Sequence, residues 1–326
     1  TNSKVSCPLC QSEKTQIART GVRENPDKPV YICSYCKLKF IEPLFPDVAD
    51  LRNYYREQYR LTHDATPGKS LTSEERYKYQ HLFMHQPANR FKEHVPEGGS
   101  VLEIGCSAGG FLGHLQGHYD LYGLEWNPDD AAYVREAGQI PCEETLLADA
   151  YPGKTFSAIA AIHVLEHQPD PAAFINECKS RLIGGGWLYL EFPNANDALV
   201  SVYDSDDYKD FWYREAHITY WHAETFASMM SNLGFEAHIL PTQRYGLLNH
   251  LNWVLTGEPM KDPLMARRQL KLVDSQHRLG PALNRILGRI DREYRVQMET
   301  LNCTDSLYAI CLSLIHISEP TRQAEI

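Results

Sequence analysis

Hydrophobic and polar positions form three clear patterns along the chain. Residues 101–112, VLEIGCSAGGFL, contain a short apolar run, a turn of small residues and a second apolar run, which predicts a strand that leads into a tight turn. Residues 47–95 hold two aromatic-rich segments at helical spacing, divided by the breaker HDATPGKS, and they predict a helical linker or lid. The third pattern is an apolar stripe that predicts a long helix, formed by Leu279, Leu283, Ile286, Leu287, Ile290, Tyr294, Met298 and Leu301.

That long helix belongs to an insertion over residues 242–301, which is basic although the whole protein is acidic. Between Lys261 and Met298 there are nine Lys and Arg residues against four Asp and Glu residues. We expect the apolar stripe to face the core and the basic face to be solvated. The alternative is that the basic helices clamp an anionic substrate, such as a nucleotide-linked sugar.

Length and composition limit the class of protein. With 326 residues, 43% of them hydrophobic, the chain can bury one large core and carry a small accessory domain. A net charge of −10 argues against a protein that coats nucleic acid or an anionic membrane. The longest apolar run, AIAAIHVL, is too short to span a membrane, and no apolar signal segment opens the chain. We therefore expect a cytoplasmic protein without a membrane or nucleic-acid partner, and the oligomeric state stays open.

Four of the nine cysteines form two pairs near the N-terminus. Cys7 and Cys10, then Cys33 and Cys36, make two C-x2-C knuckles separated by 22 residues. Two such knuckles present four thiolates to a tetrahedral Zn²⁺ ion, and a segment of about 40 residues with few large apolar side chains needs the metal to fold. We predict a structural zinc site without a catalytic role. The alternatives are redox-active thiols or unpaired cysteines.

The small-residue turn after the first apolar run indicates that a ligand approaches the backbone closely. A P-loop is excluded because no Gly-Lys-Ser/Thr sequence follows. A dinucleotide site fits better, since Gly105, Ser107 and Gly110 form a degraded G-x-G-x-x-G motif and Glu125 lies twenty residues after Gly105. However, Glu103 would face the pyrophosphate, and like charges repel strongly in a partly desolvated site. The acid favours a ligand with positive charge, such as S-adenosylmethionine.

The turn also resembles the acid-x-Gly-x-x-x-Gly signature of class I S-adenosylmethionine-dependent methyltransferases, and the resemblance continues over about 95–313. LYGLEWNP, FSAIAAI, LIGGGWLYLEFPN, FEAHIL and CTDSLYAICLS resemble the second, fourth, fifth, sixth and antiparallel seventh strands of that family. The resemblance implies an α/β, Rossmann-like fold with a seven-stranded, mostly parallel sheet and a helical insertion before the last strand. It implies a cofactor site made of Glu103, Gly105, Ser107, Gly109, Phe111, Glu125, Trp126, Asp149, Ala150 and His163.

Within that implied site, three side chains have specific roles in the family. Glu125 would hold both ribose hydroxyls, Trp126 would lie against the adenine, and Asp149 would bind the adenine amino group. A zinc ribbon followed by such a domain resembles methyltransferases of types 11, 12 and 23 and the sugar C-methyltransferases of deoxysugar pathways. We therefore divide the chain into a zinc ribbon (1–46), a helical linker or lid (47–95), a methyltransferase domain (96–313) and a tail that resembles a cloning scar and is predicted to be non-native (314–326).

The chemistry is expected at the loop after the fourth strand, HVLEH, and at a later segment, EAHITYWH. Methyl transfer needs alignment, and an acceptor that carries a proton also needs a base. We predict that His163 or His217 is that base. A second hypothesis is that His163, Glu166, His167 and His217 bind a divalent metal, as in a metal-dependent minority of the family that has an acid at the position of His163. In a third, Glu166 and His167 only brace the loop.

The first hypothesis for function is a methyltransferase that acts on a small or carrier-linked metabolite, for example a nucleotide-linked sugar. A second is a catalytically silent adaptor that binds through the ribbon and the basic helices. A third is an RNA methyltransferase, which the acidic composition disfavours. The sequence identifies neither the acceptor nor its reacting atom.

Overall fold

The computed structural model describes residues 5–57, 59–60, 71–268, 271 and 276–314. Its strands are β1 (Thr15–Val22), β2 (Asn25–Cys33), β3 (Lys39–Phe40), β4 (Ser100–Ile104), β5 (Asp120–Leu124), β6 (Cys142–Glu143), β7 (Phe156–Ile162), β8 (Leu182–Pro193), β9 (Thr219–Tyr220), β10 (Phe235–Thr242) and β11 (Ser306–Ser313). Its helices are α1 (Val48–Glu57), α2 (Ser73–His94), α3 (Leu112–Leu115), α4 (Pro128–Glu136), α5 (Pro171–Ser180), α6 (Ala198–Ser201), α7 (Asp206–Trp212), α8 (Ala223–Asn232), α9 (Leu247–Thr256), α10 (Pro263–Arg267) and α11 (Gly280–Thr300), with a short 3-10 helix over Leu165–His167. The tail predicted at 314–326 lies outside the described residues except for Leu314.

Seven strands form one large sheet in the order β10-β11-β8-β7-β4-β5-β6. The five strands from β8 to β6 run parallel, and β11 runs antiparallel to both of its neighbours. The central strand β7, FSAIAAI, is buried at every position except Ser157, as expected for a strand covered on both faces. This sheet, with helices α9 to α11 inserted between β10 and β11, confirms the fold class predicted from the sequence.

A second sheet of four strands, β1-β2-β3-β9, contains the N-terminal segment. Its fourth strand, β9, comes from the loop between β8 and β10 and pairs antiparallel with β3. The backbone contact continues beyond these strands, because the Ile41 N–H donates to the Ile218 carbonyl at 2.9 Å and the Ile218 N–H donates to the Glu166 carbonyl at 2.7 Å. The N-terminal sheet is therefore hydrogen-bonded, through Ile218, to the loop that follows β7.

Helix α2 packs directly on the turn that follows β4. Its N-terminus is a capping box, in which the Glu75 N–H donates to the Thr72 hydroxyl at 3.2 Å and the Thr72 N–H donates to the Glu75 carboxylate at 3.0 Å. A Cβ atom on Gly110 would lie 2.6 Å from the Cβ of Gln80 in α2. Glycine at this position thus allows α2 to approach the turn closely.

Helix α11 is turned the opposite way from our expectation. Its apolar stripe was expected to face the core, but Leu279, Leu283, Ile286 and Ile290 are between 43% and 50% exposed. A polar face packs inward instead, because Asp291 accepts a hydrogen bond from the backbone of the first residue of α9 at 2.8 Å.

Within the described residues, no helix is long and apolar enough to cross a membrane.

Candidate active site

A cavity of about 530 Å³ lies at the carboxyl ends of β4, β5 and β7. The ends of parallel strands form the usual ligand site of open α/β sheets. Residues from α1 and α2 form part of the wall, so both predicted lid segments contribute to the cavity. The wall contains Glu103, Gly105, Ser107, Phe111, Glu125, Trp126 and His163 of the predicted cofactor residues.

The turn after β4 has the backbone conformation that glycine favours. Gly105 has a φ of 69°, Ser107 of 49° and Gly109 of 84°, all in the left-handed region. A Cβ atom on Gly105 would lie 2.8 Å from Cγ2 of Val164, so the first glycine is also required by space. Ser107 takes the same conformation with a side chain, which is uncommon for a residue other than glycine.

Two buried carboxylates face each other across this turn. Glu125 accepts hydrogen bonds from the backbone N–H groups of Ser107 and Asn127, each at 2.7 Å. Glu103 is 4% exposed, and among the described residues its Oε2 atom has no hydrogen-bond partner. Burial, and then the charge of Glu125, raise the pKa of Glu103 well above its ordinary value. A cationic ligand would offset both effects, so this end of the cavity fits the positive charges of S-adenosylmethionine.

Three predicted cofactor residues, Gly109, Asp149 and Ala150, are not in the cavity wall. Trp126 is in the wall, and its indole N–H donates to the Thr145 carbonyl at 2.9 Å. The wall includes residues 146–148, which come directly before Asp149 and Ala150 in the chain. Asp149 is exposed, and Ala150 is buried in the core. The role of Asp149 in binding adenine and the place of Ala150 in the cofactor site therefore stay predictions.

Arg60 joins the predicted lid to the cofactor turn, a contact that sequence reasoning missed. Its guanidinium donates to Ser107 Oγ at 2.7 Å and to the buried carboxylate of Asp130 at 2.8 Å. Asp130 also accepts from Arg76 at 2.7 Å and from Ser73 at 2.7 Å, both at the start of α2. In the sequence, Asp130 reads only as an acid in the first turn of a helix, so nothing local marked it as the centre of this network.

His163, directly after β7, has both ring nitrogens paired. Its Nδ1 atom lies 3.0 Å from Glu166 Oε1, and its Nε2 atom contacts a guanidinium nitrogen of Arg244. Because a guanidinium only donates, Nε2 is the acceptor and the Nδ1–H donates to Glu166. Arg244 in turn pairs with Asp305 at 2.7 Å, and the sequence had indicated neither residue. His163 also has a φ of 56°, which is uncommon for a residue other than glycine.

Glu166, His167 and His217 form a cluster whose potential ligand atoms all lie within 4.8 Å of one another. His167 Nδ1 lies 2.5 Å from the Ala216 carbonyl, so this nitrogen carries the proton and Nε2 has a free lone pair. Burial lowers the pKa of His167 to about 4 and that of His217 well below its ordinary value, so both rings are neutral at neutral pH.

The carboxylate of this cluster is ionised and only partly hydrogen-bonded. Burial alone would raise the pKa of Glu166, but the hydrogen bond from His163 and the two histidines lower it overall. Its Oε2 atom is buried and has no hydrogen-bond partner in the described part of the chain. One ionised carboxylate beside two neutral imidazoles is a donor set that a divalent cation fits. His167 lies in the cavity wall, whereas His217 lies beside it, with ring centroids 4.9 Å apart.

The four N-terminal cysteines converge as predicted. Cys7 and Cys36 have their sulfur atoms 3.5 Å apart, as do Cys10 and Cys33. All four sulfur atoms lie within 4.8 Å of one another. Four thiols at these separations fit a single tetrahedral ion.

Comparison with known proteins extends these observations. Residues 75–239, half of the chain, match the family model described as a methyltransferase domain. The chain is 30% identical over 109 residues to the ubiquinone biosynthesis O-methyltransferase of Paraburkholderia phytofirmans. The matched region covers 30% of this chain and 46% of that protein. It is 29% identical over 165 residues to the enzyme of the same name from Xylella fastidiosa. That matched region covers 43% of this chain and 65% of that protein. The chain spans about half the length of the first of these relatives.

Solved structures of methyltransferases are also similar. One is a SAM-dependent methyltransferase from Archaeoglobus fulgidus, with 18% identity and a TM-score of 0.45, covering 74% of this chain and 97% of that one. Another is magnesium protoporphyrin IX methyltransferase from Synechocystis with bound SAH, with 12% identity and a TM-score of 0.47, covering 82% of this chain and all of that one.

The match to the methyltransferase family model over residues 75–239 agrees with the resemblance inferred from the glycine turn. The chain belongs to the class I S-adenosylmethionine-dependent methyltransferase family.

Proposed function

We propose that this protein transfers the methyl group of S-adenosylmethionine to an oxygen atom of a small-molecule acceptor. The observation that carries the cofactor part is Glu103, a buried carboxylate at the head of the glycine turn, one of whose oxygens has no hydrogen-bond partner among the residues that the structure describes. The choice of oxygen is supported by the names of the relatives, which are O-methyltransferases. The acceptor would lie beside His163 and His167, at the end of the cavity formed by the loop after β7.

Removal of the acceptor's proton is the step that this loop would assist. We predicted His163 or His217 as the base. The paired nitrogens of His163 favour a positioning role, in which it holds Glu166 through the 3.0 Å hydrogen bond. Glu166, His167 and His217 would hold a divalent cation, which when bound lowers the pKa of a coordinated hydroxyl. His217 remains the candidate base if no cation is held.

A cation titration separates these two mechanisms without an acceptor. We expect the wild-type protein to bind about one Mn²⁺ ion per chain in addition to zinc, as measured by the electron paramagnetic resonance of free Mn²⁺. Glu166→Gln should lose this ion because it removes the charged ligand, whereas the exposed Glu224→Gln should keep it. If the wild-type protein takes up no Mn²⁺, the histidine base is the remaining mechanism.

The cofactor site makes a second prediction. Glu125→Ala should weaken S-adenosylmethionine binding by about 1–3 kcal/mol, the usual loss for a charge-assisted hydrogen-bonding group. Isothermal titration calorimetry measures this, and the exposed Glu136→Ala is the matched control. Tight binding of NAD with no heat from S-adenosylmethionine would contradict the cofactor assignment.

We also propose that Cys7, Cys10, Cys33 and Cys36 hold one structural Zn²⁺ ion. The support is the close approach of the four sulfur atoms. Four thiolates leave no open coordination position, so the site would supply folding energy and no chemistry.

Two other functions were considered for the whole chain. A silent adaptor would not need a buried carboxylate such as Glu103, one of whose oxygens lacks a hydrogen-bond partner among the described residues. A turnover assay with labelled S-adenosylmethionine would distinguish it. An RNA methyltransferase would need a basic face for the phosphates, which the net charge of −10 disfavours. The candidate acceptors are a free metabolite, a carrier-linked one and a nucleotide-linked sugar. A feature of the insertion bears on the choice between them.

A further inference from the structure

One arginine of the insertion, Arg267 at the end of α10, has no carboxylate partner within 4 Å among the residues that the structure describes. It is half-buried, and its guanidinium lies 5.0 Å from the ring centroid of Phe83 and 5.1 Å from that of Tyr245. One nitrogen lies 3.3 Å from the Tyr245 hydroxyl. Two neighbouring arginines have carboxylate partners, because Arg244 pairs with Asp305 at 2.7 Å and Arg295 pairs with Asp291 at 3.1 Å.

The position of Arg267 is fixed by a neighbouring arginine. Arg295 of α11 donates to the backbone carbonyls of Gln243 at 3.3 Å, Arg244 at 2.7 Å and Arg267 at 3.2 Å. One side chain thus holds together the two segments that carry Arg244 and Arg267. This polar contact uses the inward face of α11, the face that was expected to be apolar.

Arg267, Phe83 and Tyr245 lie outside the cavity wall, but their contacts connect Arg267 to it. On α2, Gln80 and Met84 form part of the cavity wall, and Phe83, which lies against Arg267, is on the neighbouring row of the same helix. On the other side, His163 of the wall contacts Arg244, whose guanidinium lies 5.6 Å from the ring centroid of Tyr245. A continuous line of contacts therefore leads from the proposed methyl-transfer position to Arg267.

A packing role alone does not account for this arrangement. Aromatic rings stabilise a guanidinium, but a partly buried positive charge without an anion still loses hydration. Guanidinium groups bind carboxylate and phosphate through two parallel hydrogen bonds, and flanking rings suit a planar group.

We infer that Arg267, with Phe83 and Tyr245, binds an anionic group of the methyl acceptor, either a carboxylate on an aromatic ring or the diphosphate of a nucleotide-linked compound. The inference rests on the proposed function, since it places the acceptor between this subsite and the loop after β7. It assigns Arg267 to acceptor specificity and not to the chemical step.

Binding of matched probes to the protein saturated with S-adenosylhomocysteine tests the inference. The probes are 4-hydroxybenzoate against 4-hydroxybenzamide, and uridine diphosphate against uridine, measured by calorimetry. In the wild-type protein, at least one anion should bind about tenfold more tightly than its neutral counterpart. The pair that shows the preference identifies the source of the anionic group. Equal binding within both pairs, or no binding at all, overturns the inference.

Variants then assign the preference to one side chain. Arg267→Gln should abolish the preference, Arg267→Lys should retain part of it, and Arg292→Gln, which changes an exposed arginine of α11, should leave it unchanged. A preference that survives Arg267→Gln overturns the inference, and Arg267→Lys serves if the glutamine variant does not fold. S-adenosylhomocysteine binding is measured separately, so loss of the cofactor would count against the proposed function and loss of the anion preference alone would not.

Discussion

Cys33→Ser is expected to release zinc and to unfold the N-terminal sheet. Structural Zn²⁺ sites of this kind contribute about 10–16 kcal/mol of binding free energy, which is folding free energy where the site exists only in the folded state. Strands β1 and β2 are largely polar and half-exposed, so apolar burial does not replace this contribution. Elemental analysis should find about one zinc per wild-type chain and none in the variant.

Hydrogen exchange and a control variant complete that experiment. Hydrogen exchange should show loss of protection over β1 to β3 in Cys33→Ser, because their backbone hydrogen bonds open when the ion is lost. Cys303→Ser, which changes a buried cysteine outside the cluster, should keep both zinc and protection. A fully protected N-terminal sheet in metal-free protein would show that the four cysteines do not need an ion.

His217→Ala is expected to slow methyl transfer by about 10²–10⁴-fold while leaving S-adenosylmethionine affinity nearly unchanged. The reason holds for either mechanism, since the side chain would serve as a cation ligand beside Glu166 or as the base itself. The assay follows labelled methyl groups from S-adenosylmethionine into an acceptor identified by screening cell extract. His238→Ala, an exposed histidine on β10, is the control and should retain full activity.

His163→Ala provides a second arm of the same assay. If His163 positions Glu166 through their hydrogen bond, its loss should also weaken Mn²⁺ binding. Full activity in both His163→Ala and His217→Ala on an identified acceptor would show that neither histidine takes part in the reaction.

Local sequence was sufficient to predict which residues meet at the glycine-turn end of the cavity. Glu103, Gly105, Ser107 and Glu125 all lie within or directly after a strand, and the carboxyl ends of parallel strands meet at one edge of a sheet. Their proximity therefore follows once the strands are recognised. The cysteine pairs were predictable for a similar reason, because their spacing already matches the geometry of one ion.

The remaining contacts depend on how distant segments pack. Arg60 meets Asp130, and Arg244 meets His163, across long stretches of chain with no shared motif. Helix α11 shows a different limit. Hydrophobic periodicity identifies which residues share a face of a helix, but not which face turns inward. Here the polar contacts of Asp291 and Arg295 determined the orientation, and the apolar stripe stayed outside.

The hydrogen bonds through Ile218 have a consequence for how this protein can be divided. A fragment that begins after the N-terminal sheet would leave β9 without its partner strand and would remove the donor that now holds the Ile218 carbonyl. The same residue supports the backbone of Glu166 at 2.7 Å, so the fragment would lose part of the frame around its own reaction centre. If the four cysteines hold zinc as proposed, we therefore expect metal supply to control whether a newly made chain matures into an active form, although the cysteine site itself would supply no chemistry.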